Sequence, residues 1–198
     1  PVTARRIVGR VRPDPEAVQE MAAALAAARR PALVMGPEVD MDGGWTAGVA
    51  LAERLRAPCF TSPNSHRASF PEDHPLFAGF LPAAPGPLSQ VLDGFDVIAV
   101  FGAPVFTFHV EGHCALFDSG GPAIWQVTSD PAAAAGAGAG SSILGSVRAA
   151  LESLLGGVPA SAQPMPTPRP RPMPPSGGLL TAEQVLHALA APCHGTPS

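Results

Sequence analysis

The chain has 198 residues, 46% of them hydrophobic and 14% charged, with a net charge of −4; that length fills one domain core and little more. Its twelve basic residues are scattered, which argues against a nucleic-acid or anionic-membrane surface, since both need clustered Lys and Arg. No apolar run approaches the roughly 18 residues of a membrane helix, and the three cysteines (Cys59, Cys114 and Cys193) have no CxxC spacing, so the expected setting is soluble, reducing and cytoplasmic.

The leading residues 1–13 start at Pro1 rather than Met, as expected of a processed or excised piece. Asp14-Pro15-Glu16 then supplies an N-cap, a first-turn proline and a dipole-matched carboxylate. Val18, Met21, Ala22 and Leu25 follow at helical spacing, which predicts a helix. "PALVMGP" (31–37) reads as a strand covered on both faces. A second helix is expected from about Trp45 through Val49, Ala52 and Leu55, and a short strand at "PCFTS". "FPEDHPLFAGF" (70–80) reads as a turn-rich loop fixed by Pro71 and Pro75. In it Phe70, Leu76 and Phe77 pack down, and His74 has a structural role through a backbone bond.

"LSQVLDG" (88–94) predicts a helix closed by Gly94, "DVIAVFG" (96–102) the most hydrophobic strand, and "PAIWQVTSD" (122–130) another. After the helical turn "DPAAAA", the glycine-rich "GAGAGSS" (136–142) does not fit the phosphate fingerprint. It follows a helical turn rather than a strand and its third glycine comes too early, so it reads as a flexible connection to the last strand. Ser141 or Ser142 is expected to cap a helix that buries Leu144, Val147, Leu151 and Leu154. Alternating strands and helices imply a doubly wound, mainly parallel α/β sheet of about five or six strands over residues 14–155. Residues 156–178, about half Pro and Gly, read as a stiff, PPII-like linker. In residues 179–198, Thr181 and Gln184 fit a capping box before Val185, Leu186 and Leu189, the expected opening of a further domain left incomplete.

Ligands of such sheets bind at the carboxyl ends of the strands. There the chain places "GAPVFTFHVEGHC" (102–114), with His109 and His113 four residues apart, Glu111 between them and Cys114 next. Two explanations stand. One is a metal pair on a helical turn, which Gly112, the missing HExxH order and the lack of a spaced third ligand disfavour. The other is ordinary loop histidines at a strand end.

The blocks "PALVMGPEVD", "LAERLRAP", "FPEDHPLFAGFLPA", "LSQVLDGFDVIAVFGAPVFTFH" and "TSDP", in this order and spacing, resemble the central domain of the thiamine-diphosphate-dependent 2-oxo acid decarboxylases. "GAPVFTFH" points among them to the benzoylformate decarboxylases. The likeness runs from about Asp14 to Leu155. It implies a Rossmann-like fold, and a parent enzyme that converts an aryl 2-oxo acid to an aldehyde and carbon dioxide without oxidation. It also implies two further domains that hold thiamine diphosphate and magnesium, and a homo-oligomeric parent. The present chain is then expected to bind no cofactor and to be inactive alone.

The residue matching the family's active-site histidine is His109. Decarboxylation on thiamine moves protons near neutral pH, which suits an imidazole with an unperturbed pKa of about 6.5. The resemblance gives His113 and Cys114 no role. Phe106 and Phe108 are candidates either to line an aryl pocket or to pack the strand end. Thr107 and Phe108 depart slightly from the family's residues before the histidine, which leaves the 2-oxo acid itself open. The alternative function is a non-catalytic module for an adenine nucleotide, ADP or FAD.

Overall fold

The computed structural model describes residues 9–168 and 181–193. The chain divides into one compact unit that ends at Thr167 and a second from Pro168 to Ser198. The first unit thus continues beyond the expected boundary at Leu155. Residues 1–8 of the leading segment, 169–178 of the linker, and 179, 180 and 194–198 of the last segment lie outside the described residues.

Helix α1 (Pro15–Ala27) starts where its cap predicts: Asp14 Oδ1 accepts the N–H groups of Glu16 and Ala17 at 2.9 and 3.0 Å. It buries Val18, Met21, Ala22 and Leu25, the four residues that its spacing selects. The strands β1 (Pro31–Met35), β2 (Cys59–Thr61), β3 (Phe77–Phe80), β4 (Val97–Phe101), β5 (Ala123–Thr128) and β6 (Ser141–Leu144) form one sheet in the order β3-β2-β1-β4-β5-β6. Every pairing is parallel, as right-handed crossovers require. β1 and β4 are almost wholly buried, which explains why both read as unbroken apolar runs.

The helices α2 (Pro37–Met41), α3 (Trp45–Leu55), α4 (Pro85–Val91), α5 (Pro131–Ala135) and α6 (Val147–Gly157) connect and cover the strands. On one face α1, α3 and α6 pack Met21, Leu25, Leu51, Leu151 and Leu154 onto Leu33, Met35, Ala99 and Phe101. On the other, Leu88 and Leu92 join Val34, Ile98, Val100 and Phe106. Burial in the first layer pushes the Cys59 thiol well up from its ordinary value.

Several elements differ from expectation. Residues 77–80, expected within a loop, form edge strand β3, while Phe70, Leu76 and Phe77 are buried as anticipated. α2 was not expected, and α4 begins at Pro85 rather than Leu88. α3 buries Gly48, Leu51 and Ala52, with Val49 and Leu55 only partly buried. Ser141 and Ser142 cap nothing: they begin β6, and the cap of α6 is Ser146, whose Oγ accepts Ala149 N–H at 3.2 Å. Leu144 therefore lies in the edge strand and is 43% exposed, while Val147, Leu151 and Leu154 are buried as predicted.

After α6 the first stretch of the Pro-rich segment is tied down. Arg54 Nε donates to the Val158 carbonyl at 2.6 Å, Arg56 Nε to that of Gln163 at 3.1 Å, and Ser161 N–H to that of Arg54 at 2.7 Å. In the second unit, helix α7 (Ala182–Cys193) opens with the expected capping box: Gln184 N–H donates to Thr181 Oγ1 and Thr181 N–H to Gln184 Oε1. No helix among the described residues is long and apolar enough to cross a membrane.

Candidate functional site

The strand order turns between β1 and β4, and the loops leaving the carboxyl ends of these strands face the place where open parallel sheets hold ligands. The β4 loop starts at Gly102, whose φ of +68° suits glycine. A Cβ on Gly102 would also fall 2.7 Å from the Cβ of Glu38. Ala103 and Val105 then dive into the α4-side core.

Phe106 is 8% exposed and stacks on Phe117, with ring centroids 6.5 Å apart and planes 6° apart, so its ring packs the strand end. Phe108 is half-buried against the same cluster. His109 is exposed, and its imidazole makes no hydrogen bond to a described residue. Its backbone is held: His109 N–H donates to the Ala83 carbonyl at 3.0 Å, in the turn that leads into α4.

The far end of the loop is also anchored on α4. The Ser89 hydroxyl donates to Pro85 O at 2.8 Å and accepts Ala115 N–H at 3.1 Å, with the buried Cys114 Sγ 3.5 Å away. The loop is therefore fastened on both sides of His109, whose imidazole bonds to none of the described residues. The structure separates the two histidines of the opening motif. His113 Nε2 lies 2.9 Å from Asp118 Oδ2 in an exposed pair, and Cys114 turns inward. Among the described residues, no three His, Cys, Asp or Glu side chains converge where a metal ion could sit.

His74 has the structural place its loop suggested. Nδ1 accepts Leu76 N–H at 3.2 Å, which puts the proton of the neutral ring on Nε2, 3.3 Å from Glu53 Oε1. The ring also meets Phe70 edge-on at 5.2 Å. A cleft of about 530 Å³ lies between α1 and α6, lined by Arg12, Val18, Ala22, Ala149 and Ser153. It contains none of the candidate site residues.

Residues 18–154 match the family described as the thiamine pyrophosphate enzyme, central domain. The chain belongs to this family. It is 39% identical over 194 residues to a benzoylformate decarboxylase of Pseudomonas aeruginosa, an alignment that covers 96% of this chain and 36% of the relative. The crystal structure of a benzoylformate decarboxylase from Polynucleobacter necessarius superposes with a TM-score of 0.83 at 33% identity, covering 95% of this chain and 36% of that one. A thiamine diphosphate-dependent 4-hydroxybenzoylformate decarboxylase from Rhodococcus jostii gives 0.79 at 36% identity, covering 88% and 33%. The chain thus spans about a third of the length of these relatives. Its six-stranded parallel sheet with flanking helices is the fold of their central domain.

Proposed function

We propose that this chain is the central domain of an enzyme that decarboxylates an aryl 2-oxo acid of the benzoylformate type, releasing an aldehyde and carbon dioxide, and that the domain alone turns nothing over. The observation that carries the proposal is the setting of His109: an exposed imidazole, bonded to none of the described residues, on a loop fastened through Ala83 and Ser89 at the carboxyl end of the central strand. Phe108, half-buried beside it, offers an aromatic surface for an aryl substrate. Phe106, stacked on Phe117, backs that surface from inside.

Among the described residues, no three His, Cys, Asp or Glu side chains converge where a metal ion could sit. On the pattern of the family, thiamine diphosphate and magnesium are assigned to the parent's other two domains. The part left to this chain is proton movement: His109 holds a proton at its imidazole and exchanges it with the substrate as charge develops there, a contribution of about 10²–10⁴-fold for a well-placed acid or base.

The test supplies benzoylformate, thiamine diphosphate and magnesium to the full-length parent and, separately, to this chain. Carbon dioxide and benzaldehyde should form with the parent and not with the chain. A parent that leaves benzoylformate intact, or an isolated chain that consumes it, would overturn the proposal.

A further inference from the structure

The crevice between β1 and β4, the expected ligand position of an open parallel sheet, is closed by the chain itself. The backbones of Gly36 and Gly102 approach so closely that a Cβ on Gly36 would lie 2.4 Å from the Gly102 carbonyl oxygen. Glu38 then crosses the end of β4. Its backbone N–H donates to Gly102 O at 3.2 Å, and its side chain reaches the end of β5. There Oε1 accepts the Thr128 hydroxyl at 2.6 Å, while Oε2 accepts the Ser129 N–H at 2.7 Å and the Ser129 hydroxyl at 2.6 Å. Thr128 Oγ1 in turn accepts Asp130 N–H at 3.1 Å, which fixes its own hydrogen toward Glu38. Three short donors converging on two carboxylate oxygens are the contacts that a phosphate oxygen pair would seek.

We propose that Thr128 and Ser129, at the end of β5, form an oxyanion cradle that Glu38 keeps filled, so that Glu38 is the residue that bars phosphate-bearing ligands, nucleotides among them, from this cradle. The exclusion has two causes. The carboxylate consumes the donors, and its charge repels an incoming phosphate. Being part of the same chain, it also competes at a high effective concentration. This inference extends the assignment of the chain as a domain without a cofactor of its own, and it speaks directly to the ADP or FAD alternative.

The experiment is a titration of this chain and of its Glu38→Ala variant with pyrophosphate and with ADP, following the Thr128 and Ser129 amide resonances by NMR. In the unaltered chain those resonances should stay in place. In Glu38→Ala they should shift saturably, with affinity at least about tenfold above any binding by the unaltered chain, because one charge-assisted hydrogen bond freed from competition is worth that much. If the Ala variant does not fold, Glu38→Gln carries the test: it keeps the volume and removes the charge, and it should shift the same resonances with a smaller gain. Saturable shifts at Thr128 and Ser129 in the unaltered chain, or no gain in a folded variant, would overturn the inference. Failure of His109 chemistry in the parent would leave these titrations unaffected, so the two proposals fail separately.

Discussion

Gly36 sits between β1 and the site, and replacing it with Ala perturbs both. Its backbone, with φ −118° and ψ −178°, is extended and open to any L-residue, so glycine is needed there for space and not for conformation. An added Cβ would lie 2.4 Å from both the Ala103 Cβ and the Gly102 oxygen and 2.9 Å from the Gly102 carbonyl carbon. Relief to ordinary contact requires the ends of β1 and β4 to part by about 1 Å. That motion loads the bonds from Gly36 N–H to Phe101 O at 2.8 Å and from Glu38 N–H to Gly102 O at 3.2 Å. Overpacking of this kind costs typically 1–3 kcal/mol, and clashes with backbone argue for the upper end. For a unit of this size about 3 kcal/mol corresponds to a fall in Tm of roughly 6–12 °C. Differential scanning calorimetry would read it, with Gly156→Ala as the control: that glycine lies in the last turn of α6 with nothing within 4 Å of its added Cβ, so Ala there meets no clash. A Gly36→Ala variant that melts as high as the control would refute the close-approach account.

Two further predictions concern the scaffold. His74→Ala strips Leu76 N–H of its acceptor and should cost about 1–3 kcal/mol in urea denaturation. His74→Asn, whose side-chain oxygen can stand in for Nδ1, should recover part of that loss, and equal losses in both would count against the assigned bond. At Asp96, desolvation pushes the carboxyl up, but the backbone N–H groups of Arg29 and Arg30, at 2.7 and 2.9 Å, together hold it below its ordinary value. A folded value below the unfolded one, about 3.9, stabilises above that pH and is lost as pH falls through the lowered value. Asp96→Asn should therefore flatten the acid limb of the stability curve, and matching acid limbs in the two proteins would contradict the sign.

Where the sequence carries a local physical signal, it was legible. The Asp14 cap and the Thr181–Gln184 box each lie within four residues and could be read directly. β1 and β4 announced themselves because burial on both faces demands an unbroken apolar run. The edge strands did not. β3 offers one buried residue, Phe77, before a glycine, and β6 one, Ile143. Neither alternates long enough to compete with the neighbouring turn or with the helical spacing of Leu144 and Val147.

At the site, His109 is singled out by a resemblance rather than by its own pattern, which alone does not separate it from His113. The Asp118 partner that separates them follows the short 3₁₀ turn Ala115–Phe117, on the far side of Cys114. The stack of Phe106 on Phe117 has no signature in the local spacing of the sequence. The Glu38 bonds to Thr128 and Ser129 join positions some 90 residues apart, and no spacing in the sequence could have announced them. One trace was available: a Gly-Pro pair straight after a buried strand marks a tight exit at a strand end.

The central claim is that His109 moves protons for a decarboxylation whose cofactor is held elsewhere. Its most direct measurement compares the full-length parent with its His109→Ala variant on benzoylformate, alongside a fluorescence titration of thiamine diphosphate binding. The account predicts a fall in kcat of about 10²–10⁴-fold with cofactor affinity unchanged. An unaltered kcat, or a loss traced wholly to weaker cofactor binding, would contradict it.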